Sequence, residues 1–241
     1  MAKKTPAPKA AATPKKRVPG WMVVSFSVVL VLVLVAFFSE VELGEKPRGL
    51  DVGIKNVLLV TFDTTRADRI GAYGYTRAKT ENIDRLAKEG VLFERCITVA
   101  PITLPSHTSI LTGQYPYRHG VRNNGTHNVE PDVTTLAEIL GEKGFSTGAV
   151  VSALVLDSRY GLDQGFDLYN DDLSEAEKAP LFMYRETKAQ NTSERAIRWL
   201  QDRSGERWFL WVHFFDPHAN YQPPAPFDEV CEDPYDGEIH Y

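Results

Sequence analysis

The residues with the most chemical potential lie in Pro101–Gly113, read Pro-Ile-Thr-Leu-Pro-Ser-His-Thr-Ser-Ile-Leu-Thr-Gly. Pro105 suits a first helical turn, where its missing N–H is no loss and its fixed φ helps. Gly113 is a natural stop. A helix between them places Thr103 just ahead of its mouth. Free amide donors and the positive dipole end favour an oxyanion or an anionic substrate there. A plain N-cap is the competing reading of this hydroxyl. Asp63 is the second candidate, directly after the apolar run Val57–Phe62. That run suits a strand buried on both faces of a parallel sheet, and the C-terminal edge of such a sheet is where ligands bind. Asp63 could equally cap the following turn. The third is His218 in Asp216-Pro217-His218, which closes the run Arg207–Phe215. It can line a pocket or be buried beside a turn.

These residues need elements to hold them. Thr80–Gly90 predicts a helix with Ile83, Leu86 and Ala87 on one face, and Val91–Val99 a strand that delivers the chain to Thr103. A helix over Val133–Gly144 turns Leu136, Ile139 and Leu140 inward, and a strand follows at Phe145–Val151. Arg159–Asp172 is turn-rich and acidic. Glu186–Arg203 is helical with Ala196, Trp199 and Leu200 apolar, Arg207–Phe215 is a strand, and Val230–Tyr241 begins a further element. Strands alternating with helices predict an α/β fold, a largely parallel central sheet flanked by helices.

The chain has 241 residues, 43% of them hydrophobic, enough for one good core plus appendages. Residues 1–20 hold Lys3, Lys4, Lys9, Lys15, Lys16 and Arg17 and no acid, and read as a disordered basic tail. With a net charge of −5 for the whole, the body is acidic, which argues against nucleic-acid binding. Trp21–Phe38 is apolar but for Ser25 and Ser27, long enough to cross a bilayer. Residues 21–39 are therefore read as a membrane span. The basic tail before it predicts a cytoplasmic N-terminus and a periplasmic or otherwise extracytoplasmic body. A cleaved signal peptide fits less well, because the run is long and no small-x-small site follows. Residues 40–55 read as a linker and 56–241 as one domain. Cys96 and Cys231 lack metal-ligand spacing, and nothing in the sequence says whether they pair.

Thr103-Leu104-Pro105-Ser106-His107 with Leu111-Thr112-Gly113 resembles the nucleophile signature of the sulfatase family, within the alkaline phosphatase superfamily. Three further stretches match in order: Asn56–Asp68, Arg118–Gly125 and Phe209–Pro224. The resemblance runs from about Asn56 to the end of the chain. It implies an alkaline phosphatase-like fold and a divalent metal ion (Ca²⁺, Mg²⁺, Mn²⁺ or Zn²⁺) shared by Asp63 and Thr103. Thr103 is the implied nucleophile. His107 stands where the family carries an Arg, His218 is implied to touch the ester or move a proton, and Asn124 can shape the substrate pocket.

The departures from the family pattern are informative. Asp63-Thr64 stands where many members have paired acids. His107 replaces an always-charged bidentate donor with a titratable one. Thr103 cannot become the formylglycine that sulfatases make from Cys or Ser, whereas related phosphotransferases use an unmodified Thr. The family's later Asp-His or Asp-Asn ligands have no counterpart, so the chain is expected to be incomplete. Together these features predict a membrane-anchored, metal-dependent hydrolase or transferase of sulfate or phosphate esters. A lipid-headgroup phosphotransferase and an anchored, non-catalytic binding domain are the alternatives. His127 and His213 carry no expected role, and Arg66 reads as a surface ion-pair partner.

Overall fold

The computed structural model describes Gly53 and residues 55–77, 79–174 and 185–241. The basic tail, the span at 21–39 and nearly all of the linker lie outside the described residues. Among the described residues no helix is long and apolar enough to cross a membrane.

Four strands form one sheet: β1 (Asn56–Phe62), β2 (Ser146–Val151), β3 (Leu168–Asn170) and β4 (Trp208–Phe214). Their order is β1-β4-β2-β3, and every pair is parallel. The sequence Trp-Phe-Leu-Trp-Val-His-Phe of β4 is buried from Phe209 to His213, as a central strand covered on both faces requires. Alternation along β2 and β4 divides the core. Ala149, Val151, Phe209 and Trp211 face one way, against Leu104, Leu111, Ala137 and Phe145. Val150, Leu210 and Val212 face the other way, against Ala196 and Trp199.

The helices follow from local signals. α1 (Glu81–Glu89) starts after Thr80 and stops at Gly90. α2 (Thr103–Thr112) ends at Gly113, whose φ of 66° is the left-handed conformation a helix stop uses. α3 (Pro116–His119) has Pro at its first turn. α4 (Leu136–Gly141) opens with a capping box of Thr135 and Glu138. α5 (Ala189–Gln201) lays Ala196 and Trp199 on the sheet. It comes so close that a Cβ on Gly148 would stand 2.5 Å from the Trp199 ring. α6 (Phe227–Val230) and α7 (Pro234–His240) close the described chain.

Several expectations need correction. β1 is an edge strand, not one buried on both faces, and Leu58 is 53% exposed. Val91–Val99 forms no strand; it pairs with nothing in the sheet, and Ile97 is 87% exposed. Leu86 is exposed too, while Ile83 and Ala87 are half-buried, so the apolar face of α1 is only partly covered. α4 is shorter than the reading over Val133–Gly144, and Ile139 points outward. The turn-rich stretch contains β3, too short to announce itself by periodicity. Thr103 is the first helical residue, and Ile102 is the N-cap.

Candidate active site

β1 runs directly into Asp63, whose N–H donates to the Phe214 carbonyl at 2.9 Å, extending the β1–β4 ladder by one rung. α2 points its first residue at the same spot. The Thr103 hydroxyl donates to Asp63 Oδ2 at 2.9 Å. The other carboxylate oxygen accepts from the Thr64 N–H at 2.8 Å. Asp63 thus has both oxygens engaged at the C-terminal edge of the sheet, where the sequence placed it.

Two buried histidines stand behind this pair. His107, one turn along α2, has Nδ1 2.8 Å from the Thr103 carbonyl. A carbonyl only accepts, so Nδ1 carries the proton. Burial, with the neighbouring His213 adding to it, pushes the His107 pKa down to about 4; the ring is neutral at physiological pH. Its edge meets the His213 ring, with centroids 4.8 Å apart. His213 is fully buried, and its Nε2 lies 3.6 Å from Asp63 Oδ2 without a hydrogen-bond partner among protein atoms. The Ser152 hydroxyl gives its proton to the His213 carbonyl at 2.7 Å, leaving the oxygen to accept from Nδ1, 3.3 Å away. Burial raises the Asp63 pKa, but the pull of the adjacent His213, with smaller contributions from His107 and Thr103, outweighs it. The net shift is downward, so Asp63 is a carboxylate at neutral pH.

The mouth of α2 is nearly satisfied. Asn124 Oδ1 accepts from the Leu104 N–H at 2.9 Å, a cap supplied from a distant loop. Pro105 brings no N–H, and the Ser106 N–H reaches the Ile102 carbonyl. At the far end, His119 is buried. The Val121 N–H donates to its Nδ1, so Nε2 is protonated and donates to Ser109 Oγ at 2.9 Å. That is a structural brace, not a pocket.

Thr64 has φ of 47°, an outlier for a β-branched residue. Its hydroxyl donates to the Pro217 carbonyl, and its own carbonyl accepts from the Tyr235 hydroxyl at 2.8 Å. The residue standing where the family often has a second acid therefore ties the Asp63 loop to the Asp216–His218 loop and to α7. His218 stacks on Phe215 with centroids 4.1 Å apart, at the same end of the sheet. Arg66 pairs with Asp68 at 2.6 Å on the surface, as read from the sequence. Both cysteines are free.

The structure thus brings Asp63, Thr103, His107 and Asn124 together and carries His218 on the adjoining loop. His213 was missed by sequence reading. Alternation with Trp211 along β4 places it on the α2 side of the sheet, and its register partner in β1 is Thr61, two residues before Asp63. Asp63 and Thr103 give hard oxygens, and the orphaned His213 Nε2 gives a nitrogen beside them. Among the described residues no group of three or more His, Cys, Asp or Glu could hold a metal ion. The residues present therefore fit part of a divalent coordination shell.

The family profile described as "Sulfatase" matches residues 55–238. The N-acetylglucosamine-6-O-sulfatase of Bacteroides thetaiotaomicron is 24% identical over 88% of this chain and 40% of its own length. The steryl-sulfatase of Rattus norvegicus is 35% identical over 39% of this chain and 18% of its own. The chain spans less than half the length of the curated relatives it matches. Among solved structures, a complex with D-glucosamine-2-N,6-O-disulfate superposes with a TM-score of 0.59, covering 70% of this chain and 36% of that one at 23% identity. A protein of the alkaline phosphatase superfamily from Vibrio parahaemolyticus gives 0.58, covering 77% and 47% at 16% identity. At such identities the structural likeness establishes the fold.

Proposed function

Since this chain belongs to the sulfatase family, we propose that it cleaves or transfers sulfate or phosphate esters with Thr103 as an unmodified nucleophile. The observation that carries this reading is the 2.9 Å hydrogen bond from the Thr103 hydroxyl to the ionised Asp63, at the mouth of α2. A neutral hydroxyl is a weak nucleophile and needs such an acceptor. In the proposed step Thr103 Oγ1 bonds to sulfur or phosphorus while the bond to the ester oxygen breaks. The hydroxyl proton passes to Asp63. The departing oxygen is protonated by His218 or by water. Water or an acceptor alcohol then takes the group from Thr103 and restores the hydroxyl. The amide end of α2 offers positive potential to the anionic oxygens. His107, locked as the Nδ1–H tautomer, holds the Thr103 carbonyl and with it the start of the helix.

Asp63 and Thr103 would hold a divalent cation, with His213 Nε2 beside them. A bound cation would supply charge neutralisation at the ester oxygens. Residues 21–39 would anchor the domain at the outer face of a membrane.

Sulfate is favoured by the names of the relatives, and phosphate by the Thr at 103, which cannot form an aldehyde hydrate. Assaying the chain on an aryl sulfate and an aryl phosphate, with Mg²⁺, Ca²⁺ or Mn²⁺ added, separates the two. Thr103→Ala is expected to remove activity on whichever ester is used, by on the order of 10³-fold or more. Thr103→Ser should keep part of it. An active wild type matched by Thr103→Ala would overturn the proposal.

A further inference from the structure

The N-terminal end of the sheet, opposite the candidate site, carries a groove of about 860 Å³ lined by Lys55, Arg203 and Arg207 with Ile197, Leu200 and Trp208. The two arginines are held by rings and carbonyls. The Arg203 guanidinium lies 4.0 Å from the centroid of the Trp199 ring and donates to the Trp199 carbonyl. That of Arg207 lies 4.2 Å from the centroid of the Phe145 ring and donates to the Lys143 carbonyl. Rings and carbonyls orient these groups without cancelling their charge. Among the described residues no carboxylate pairs with Lys55, Arg203 or Arg207, whereas Arg66, Arg69 and Arg159 all face aspartates. The acid in the groove wall, Glu206, takes the Ser146 hydroxyl at 2.9 Å. Beside the cations stand the 53% exposed Ile197 and a half-buried Trp208. Cations next to an exposed apolar residue and an indole match the layered chemistry of a bilayer surface, phosphate outside and hydrocarbon beneath.

We propose that this groove docks on the headgroups of anionic phospholipids, holding the basic end of the sheet on the bilayer and the ester-cleaving end away from it. The inference rests on the reading of residues 21–39 as a membrane anchor, because Lys55 is where the chain enters the domain from the linker that follows that segment. Its own support is the charge complementarity of the groove. Lys55 lies just before β1, and Arg203 and Arg207 lie in the turn between α5 and β4, so the fold brings two distant stretches of the chain together in the patch.

Hydrogen exchange of the full chain in bilayers tests it. The chain is reconstituted in phosphatidylcholine alone and in phosphatidylcholine with phosphatidylglycerol. Amides of Arg203–Trp208 are expected to exchange several-fold more slowly in the anionic bilayer. The difference should vanish in 1 M salt, where the Debye length is about 3 Å, and in Arg203→Glu/Arg207→Glu. Because those arginines also pack on rings, Lys55→Glu serves as a second variant that leaves the stacking intact. The two-unit change of charge is expected to weaken the contact by roughly ten-fold or more. Equal exchange in both bilayers, or a difference that survives Lys55→Glu and salt, overturns the proposal. Failure to float with neutral vesicles would sink the anchor reading alone. The groove is then judged by flotation with the anionic vesicles, which Lys55→Glu should reduce; unchanged flotation counts against it.

Discussion

The two ends of one sheet handle charge in opposite ways. At the C-terminal end the groups are half-buried or buried and face one another: Asp63 takes the Thr103 hydroxyl, His213 stands 3.6 Å behind it, and His107 braces the helix start. At the N-terminal end Lys55 and Arg207 are exposed, and their partners are rings and carbonyls or none among the described residues. The difference follows from what each end can do. Activating a hydroxyl needs an ionised acceptor at hydrogen-bond distance, held where water cannot compete. Attracting a charged surface needs the reverse, charge that reaches solvent unneutralised.

The largest effect is expected from removing the charge at the buried end. Asp63→Asn keeps the shape but not the carboxylate, and turnover should fall by about 10²–10⁴-fold. Calorimetric titration with Mg²⁺, Ca²⁺ or Mn²⁺ should show weaker binding for the same variant. Retained turnover with unchanged cation binding would remove Asp63 from the chemistry.

Next comes the layer between the ends. A Cβ on Gly148 would lie 2.5 Å and 2.6 Å from Trp199 ring atoms, so Gly148→Ala must displace α5. A loss of about 1–3 kcal/mol is expected from such overpacking, read as a lower urea midpoint. Turnover per folded molecule should not change, since Trp199 packs on the face of the sheet away from α2. A parallel loss of both would mean that the two faces are coupled.

A smaller effect concerns the rim of the buried end. Glu238 is buried, accepts from the Gln222 N–H at 2.6 Å through Oε1 and leaves Oε2 without a partner. Burial, with the charge of Asp216 adding to it, pushes its pKa up to about 7 from 4.5. The folded state then binds a proton that the unfolded chain releases, so stability is full below about pH 4.5 and falls as pH rises towards 7. Glu238→Gln mimics the protonated acid. It should raise the melting temperature at pH 8, by the equivalent of roughly 1–2 kcal/mol, and change little at pH 4.5. Equal gains at both values would mean that the carboxyl titrates normally.

The sequence made some of these features legible and hid others for physical reasons. β4 was readable because a strand covered on both faces is nearly continuously apolar; β2 opens with Ser146, Thr147 and Gly148 and shows that pattern only from Ala149 to Val151. The edge position of β1 was not, since Val57–Phe62 has the same composition whether or not a neighbour covers it. Val91–Val99 has strand-like residues, but propensity cannot supply a partner strand. Asp63 and Thr103 stood out as residues that close or open an element at the ligand-binding edge, and the resemblance to the sulfatase signature, not their position alone, separated them from plain caps. His213 was hidden because its contact with Asp63 depends on the register of two strands about 150 residues apart in sequence. Thr64 looked like a lost ligand; its role as a tie to Pro217 required the loop geometry.

The central claim is that an unmodified Thr103 attacks the ester. Rapid acid quench during turnover, followed by peptide mass spectrometry of Ile102–His107, measures this directly. The expected result is a Thr103 peptide at its unmodified mass in the resting protein. During turnover a fraction should carry one sulfuryl or phosphoryl group on Thr103, absent in Thr103→Ala. Turnover with no adduct on that peptide, and with Thr103→Ala still active, would contradict it.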